Sequence, residues 1–421
     1  MSNLKAVTIG EFIDFNPSEK LQKNTTAKKI PMDKLGTFER KIKGFELSEY
    51  KSGPKFKNKD TLLAKITPCL ENGKTALVDI LEDNEIAFGS SEFIVLRNNE
   101  LSDYKFIYYL ARSPYFREKA ISCMEGTSGR KRVNEGALKN LNINVPSLSI
   151  QQKIAKILSD LDDKIEVLNQ LNDNLAQLAK TIYDYWFVQF DFPDESGKPY
   201  KSSGGKMVYN EILKREIPEG WEVKRLGEII KDLESGKRPK GGIDKTLKEG
   251  IPSLGAESID ELGVFDFSST RYIPNIFKEK IKIGIIKNND ILVYKDGAYV
   301  GKTTLFRDGF PFSYAVINEH IFLLRAQDIH LQNYLLFTLK QKAYFNIMQS
   351  LGQKAAQPGL NQEDLKSINI LTPSQNIILD FHLLSDDLLS KIFKGANQIK
   401  ELQSLRDTLL PMLMNGQVEV E

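Results

Sequence analysis

GTSGRKRVNEGALKNLNI, residues 126–143, comes back as GQKAAQPGLNQEDLKSINI at residues 352–370. Each copy then passes a proline, Pro146 or Pro373, and enters a leucine-rich tract. The offset is about 227 residues, far beyond the ~20–50 residues of a solenoid repeat. The duplicated unit is therefore a whole domain followed by a helix. Other pairs extend the match outward. KAVTIGEF at 5–12 answers EVKRLGEI at 222–229, and FKNKDTLLAKITPCLENGKTALVD at 56–79 answers IKNNDILVYKDGAYVGKTTLFRD at 286–308. β-Branched and aromatic runs broken by Gly, Asn and Asp predict hairpin-like strands there. GSSEFIVLRNN at 89–99 and NEHIFLLRAQ at 318–327 read as further strands. YKFIYYLARSPYFREKAI and LQNYLLFTLKQKAYFNIM repeat their apolar residues three and four apart, as half-buried helices require.

The tract after Ser149, a candidate helix cap, carries Ile154, Leu161, Leu168, Leu175 and Ile182 at intervals of seven. Leu158, Ile165, Leu171 and Leu178 fill a second seam with one shift of register. The later tract offers Leu384, Leu388, Ile392, Ile399, Leu402, Leu405, Leu409 and Met412, with Gly395 weakening its middle by roughly 1 kcal/mol. Shifted by the repeat distance, Leu161 falls on Leu388, Ile165 on Ile392, Leu175 on Leu402 and Ile182 on Leu409. Two such stripes are satisfied by packing on each other; the competing arrangement packs each on its own domain. Between the halves, 191–210 is rich in Gly, Ser, Lys and Asp and reads as an exposed connector. Its length lets the chain reverse, so the helices can lie antiparallel about an approximate two-fold axis.

The expected fold is α+β. Two similar α/β domains are separated by two long antiparallel helices forming a coiled-coil spacer. The predicted boundaries are 1–147 for the first domain, 148–190 for the first spacer helix and 191–220 for the connector. The second domain takes 221–373 and the second helix 374–421.

With 421 residues, 41% hydrophobic and 27% charged, the chain can bury two or three cores and is not a disordered polymer. A net charge of +2 announces no nucleic-acid binder in bulk, although a local basic stripe depends on placement and not on the sum. Two cysteines, Cys69 and Cys123, give no disulfide framework and point to a reducing cytoplasm. No apolar run reaches the ~18 residues of a membrane span. The opening MSNLKAVTIGEF has no signal-peptide core.

Reaction chemistry is not visible. The three histidines, His320, His330 and His382, share no metal-ligand spacing, and no GxGxxG is found. Gly73-Lys74-Thr75 and Gly301-Lys302-Thr303 echo the end of a phosphate loop, but they fall between strands and lack its full spacing. They read as glycine turns with a surface lysine. Binding is better supported. GTSGRKRV sets Arg130, Lys131 and Arg132 in a glycine-punctuated loop, and guanidinium forks suit phosphate oxygens or a guanine edge. The matching GQKAAQPG keeps Lys354 and adds Gln353 and Gln357, and glutamine can pair two-pronged with adenine. Lys65, Thr67, Glu71, Asn72 and Lys74 line a second loop; Tyr294, Lys295, Asp296, Tyr299 and Lys302 line its counterpart. The plain alternative for each is a solvated surface loop.

The order domain, helix, domain, helix, together with TSGRKRVNEGALKNLNINVPSLSIQQKIAKILSDLDDKI at 127–165 and IPEGWEVKRLGEI at 217–229, resembles the specificity subunits of type I restriction-modification systems. The resemblance spans essentially the whole chain. It departs at LTPSQNIILDFHLL, which lacks the Gln-Gln-Lys of the first junction. The resemblance implies that each half is a target-recognition domain for one part of a split DNA sequence. It implies that the paired helices fix the number of unread bases and dock two methyltransferase subunits. This chain would be a non-catalytic recognition subunit that binds no cofactor, with S-adenosylmethionine, ATP and Mg on partner subunits. Restriction subunits would be further partners, for host defence in the cytoplasm. The expected DNA contacts are Lys65, Thr67, Asn72, Lys74, Arg130, Lys131, Arg132, Tyr294, Lys295, Tyr299, Lys302, Gln353, Lys354 and Gln357. The expected helix-pairing residues are Ile154, Leu161, Leu168, Leu175, Ile182, Leu388, Ile392, Ile399, Leu402 and Leu409. Two other classes compete: a stand-alone DNA methyltransferase or nuclease with degenerate motifs, and a protein-binding scaffold built on a helical hairpin.

Overall fold

Thr8 opens the first domain with a capping box. Its hydroxyl accepts from the Glu11 N–H at 3.2 Å, and the Glu11 carboxylate accepts from the Thr8 N–H at 2.8 Å. The result is a strand, Lys5–Thr8, a single helical turn, Ile9–Phe12, and a second strand, Ile13–Phe15. The same strand-turn-strand returns at Glu222–Arg225, Leu226–Ile229 and Ile230–Ser235. These and the following details come from a computed structural model describing residues 4–127, 129–237, 246–353 and 359–418.

The chain divides into two compact units, Met1–Glu166 with Glu401–Glu421, and Val167–Lys400. In the first, a four-stranded sheet runs Ile13–Phe15, Phe93–Asn98, Thr61–Ala64, Thr75–Leu77, all antiparallel. In the second, the order is Ile230–Ser235, Ile321–Ala326, Asp290–Tyr294, Thr303–Phe306, again antiparallel. Both units also contain one parallel pair, Thr26–Ile30 with Ala87–Gly89 and Ile251–Leu254 with Val316–Ile317. The repetition is thus one of topology as well as of sequence. Both faces of the inner strands Thr61–Ala64 and Asp290–Tyr294 are covered, which is why these strands read as apolar runs. Leu63 points into one core and Leu62 into another; Ile291 and Val293 oppose Leu292 in the same way.

A buried aspartate anchors each sheet. Arg97 donates from Nε and Nη2 to the two oxygens of Asp60, both at 2.6 Å, and from Nη1 to Glu19. Arg325 does the same to Asp290, at 2.7 and 2.8 Å, and to Glu234. Burial pushes the Asp290 carboxyl up, against the pull of Arg325.

Both leucine tracts are helices: Leu148–Tyr183, of 36 residues, and Gln375–Met414, of 40. The division into units passes through both. Ser149 is not the cap. The helix starts one residue earlier, and the Ser147 carbonyl already accepts from the Gln151 N–H at 2.9 Å. Within the second unit the two helices run antiparallel: Asn172 lies opposite Gly395, and the Tyr183 ring is 6.0 Å from that of Phe381. Within the first, Ile154 and Leu158 share a core with Leu410 and Leu413.

The ten residues expected on the helix seam are all at least half-buried. Four others assigned to the apolar face are not: Leu171, Leu178, Leu384 and Leu405 are each nearly half exposed. The buried line on the first helix runs Ile154, Leu158, Asp162, Ile165, Leu168, Asn172, Ala179, Tyr183. Polar Asp162 and Asn172 take seam positions, so the second stripe holds at Leu158 and Ile165 and fails at Leu171 and Leu178.

The connector is more ordered than its composition suggested. A π-helical turn, Asp184–Val188, ends the first long helix, and a hairpin pairs Met207–Asn210 with Arg215–Pro218. Phe190 and Phe192 are buried against Trp221, with the Phe192 and Trp221 rings stacked at 5.0 Å. The polar stretch 193–206 does lie largely at the surface. Among the described residues, no helix is long and apolar enough to cross a membrane.

Candidate nucleic-acid interface

In each unit three distant segments meet at one residue just past a central strand. The Lys65 N–H donates to the Glu92 carbonyl at 2.9 Å, and the Lys65 carbonyl accepts from the Val133 N–H at 2.9 Å. The Lys295 N–H donates to the His320 carbonyl at 3.1 Å, and the Lys295 carbonyl accepts from the Leu360 N–H at 2.7 Å. A bridge between Ile66 and Arg132 in one unit matches a bridge between Asp296 and Gly359 in the other. The two loops that sequence treated as separate candidates in each half are therefore neighbours. Downstream, Asn134 and Asn361 each cap a short helix by accepting from a backbone N–H, at 3.0 and 2.8 Å.

On this common frame the side chains differ. Lys65 reaches Glu135, with Nζ 3.2 Å from the carboxylate. Arg132 makes a side-on fork with Glu92: Nη2 donates at 2.7 Å and Nε at 2.9 Å. That bond holds the Glu92 carboxyl below the usual range, with burial opposing it. Arg130 and Lys131 are exposed, and the Lys131 carbonyl accepts from the Thr67 N–H at 3.0 Å. Asn72 is exposed on the adjoining turn. Lys74 is half-buried, and its ammonium donates to the Met32 carbonyl at 3.0 Å, so it braces the domain beneath the loop. Thr67 faces Glu71 and Met124, at 3.4 and 3.7 Å.

In the second unit Gly359 stands where Arg132 does, and His320 where Glu92 does. The His320 Nδ1 is 2.8 Å from Asp296. An added Cβ at Gly359 would fall 2.7 Å from the Asp296 carboxylate, so glycine lets the two loops close. Lys295 is turned inward, within 3.2 Å of the Ser235 hydroxyl and 5.0 Å from the Phe322 ring. Lys302 is 3.6 Å from Asp260. Tyr299 is two-thirds exposed, Gln353 is exposed, and Tyr294 is partly buried, which pushes its phenol up. Lys354 and Gln357 lie outside the described residues.

The glycine-lysine-threonine strings lead into strands, Thr75–Leu77 and Thr303–Phe306, through glycines with φ of 76° and 89°. A phosphate loop leads into a helix, so neither string is one. Sequence reading missed Glu92, Glu135 and His320. Glu92 lies 40 residues from Arg132, and nothing local distinguishes it from any surface glutamate. The clue lay in position, since Glu92 and His320 both immediately precede matching strands, Phe93–Asn98 and Ile321–Ala326.

Comparison with known proteins bears on this duplicated arrangement. The model of the type I restriction modification DNA specificity domain matches residues 1–177 and again 218–394. The chain is 28% identical over 339 residues to the type I restriction enzyme MjaIX specificity subunit of Methanocaldococcus jannaschii, covering 78% of this chain and 72% of that one. It is 24% identical to the HindI specificity subunit of Haemophilus influenzae, covering 99% and 100%. The crystal structure of the type I restriction-modification S subunit from M. genitalium shares the fold, with a TM-score of 0.59 and 19% identity over 98% of this chain and 96% of that one. With its family domain present twice over most of its length, the chain belongs to the type I restriction-modification DNA specificity family.

Proposed function

We propose that each half of this chain reads one part of a bipartite double-stranded DNA target, through the junctions at Lys65 and Lys295. The observation that carries this reading is the contrast at those junctions. The backbone hydrogen bonds repeat, whereas the side chains offered to a ligand do not. A protein that reads two unlike half-sites needs a shared frame with diverged readers. Arg130, Lys131 and Arg132 supply charge and forks on one side; Tyr299, Gln353 and the His320–Asp296 pair supply aromatic and other hydrogen-bonding groups on the other.

In this reading the long helices form the coiled-coil spacer between target-recognition domains, with 1–147 and 221–373 as the readers. A helix of 36 residues spans about 54 Å, enough to bridge half-sites one DNA turn, ~34 Å, apart. Methyltransferase subunits dock on the helices and bring S-adenosylmethionine; restriction subunits bring ATP and Mg. The chain contributes recognition and no catalysis, and acts in the cytoplasm.

Mapping methylated adenines genome-wide, with and without this gene, tests the reading. A bipartite motif that vanishes with the gene is the expected result, and an unchanged methylation map defeats it. Removing four residues from the spacer shortens it by ~6 Å, near two base pairs of rise. The gap in the motif should then change while both halves stay the same; altered halves with the old gap would remove the ruler role.

A further inference from the structure

We propose that Arg132 reads a base edge, positioned by Glu92, while Arg130 and Lys131 serve the phosphates. This rests on the DNA-reading role proposed above. A guanidinium has two edges that can form a fork, side-on through Nε and Nη2 and end-on through Nη1 and Nη2. Glu92 takes the side-on edge of Arg132, with donor distances of 2.7 and 2.9 Å. The end-on edge remains, on a side chain that is half exposed. Two coplanar N–H groups so presented match the O6 and N7 acceptors of guanine in the major groove.

The pairing also decides what Arg132 does poorly. With Glu92 beside it, the pair is close to neutral and adds little to attraction for the phosphate backbone, which rests on net charge. Arg130 and Lys131 carry their charge without a described carboxylate partner. The loop glycines, Gly126 with φ of 121° and Gly129 with φ of 81°, take conformations that other residues rarely adopt. The division of labour follows from the geometry: a held, neutralised fork for discrimination and two exposed cations for grip. At the matching bridge position the second unit has Gly359, so no arginine fork stands there.

The test uses the full chain in its assembled methyltransferase, on the duplex defined by the methylation map. Arg132→Lys keeps the charge and loses the fork. It should relax one base pair of one half-site, with discrimination there falling roughly 5- to 150-fold. The other half-site, the gap and the salt dependence of binding should not move. Glu92→Gln should steepen the salt dependence by about one phosphate contact and loosen the same base pair. Arg130→Gln and Lys131→Gln should each flatten the salt dependence and leave the motif intact. If Arg132→Lys leaves the motif unaltered, or Arg132→Gln flattens the salt slope without relaxing any position, Arg132 is a phosphate contact and the proposal fails. If the unchanged chain specifies no motif at all, the fault lies with the DNA-reading role itself.

Discussion

Gly395 lies so close to Asn172 that a Cβ on the glycine would fall 2.4 Å from the asparagine amide oxygen. The glycine is therefore not a soft point in its helix but the recess that lets a neighbouring helix carry a buried amide. The amide oxygen has no hydrogen-bond partner among the described residues. In the natural chain, Gly395→Ala should destabilise, since overpacking costs ~1–3 kcal/mol against a helix-propensity gain of about 1 kcal/mol. In an Asn172→Ala background the clash is gone, and the same change should stabilise by about 1 kcal/mol. Urea unfolding of the four proteins measures the coupling; an equal effect of Gly395→Ala in both backgrounds would show that the two positions are independent.

A buried ion pair ties the two long helices within the first unit. Arg406 Nη1 donates to Asp162 at 2.7 Å, and the Tyr109 hydroxyl donates to the other Asp162 oxygen at 2.7 Å. All three residues are less than a tenth exposed. Burial drives the Tyr109 phenol up, and the Asp162 charge drives it further, so it stays a donor. Arg406→Met leaves the Asp162 carboxylate buried without its main cation and should cost about 3–5 kcal/mol. Arg406→Met with Asp162→Leu should recover part of that loss, less the ~1–3 kcal/mol of a buried Tyr109 hydroxyl left without its acceptor. Thermal and urea unfolding report both; a single variant as stable as the natural chain would show that the pair contributes nothing net.

These two contacts mark where the sequence stopped being readable. The doubling was legible because repeated strings and alternating apolar runs encode one topology twice, and the strands Thr61–Ala64 and Asp290–Tyr294 lie where the apolar runs place them. The long helices were legible from their period. The polar members of the seam were not, because Asp162 and Asn172 are polar and a polar residue in a heptad reads as solvated. Only the partner, Arg406 or Gly395, reveals otherwise, and each is more than 200 residues away. For the interface, the loops could be found by their glycines and basic residues. Their convergence on Lys65 and Lys295 could not, since it depends on backbone hydrogen bonds between segments remote in the chain. Lys74 and Lys295 looked like free cations and are turned inward; sequence carries no sign of a side chain's direction in an irregular loop.

The acid stability of the second unit should depend on His382. Burial pulls its imidazole below the ordinary value; the nearby His330 and Arg307 add to this, and Asp386 and Asp328 oppose them. The His330 ring stands perpendicular at 5.0 Å, and the Asn333 amide is 3.5 Å from Nδ1. A histidine with a lowered folded pKa binds fewer protons folded than unfolded. Its contribution is present above the unfolded value, ~6.5, and is lost as pH falls from there through the folded value. Asp386 behaves differently in range. Burial raises its carboxyl, but the Arg307 hydrogen bond at 2.8 Å and the Arg307 charge prevail and lower it. Its contribution holds above ~3.9 and disappears only below that. Two separate losses are thus expected on acidification, one starting near pH 6.5 and one near pH 4. His382→Asn should flatten stability between pH 7 and 5 relative to the natural chain and leave the lower loss in place. Arg307→Met should flatten the lower loss and, because the Arg307 charge also helps hold the imidazole down, reduce the upper one as well. Urea midpoints taken at half-unit steps of pH separate the two, and a His382→Asn curve parallel to the natural one from pH 7 to 5 would mean that this imidazole titrates alike in the folded and unfolded chain.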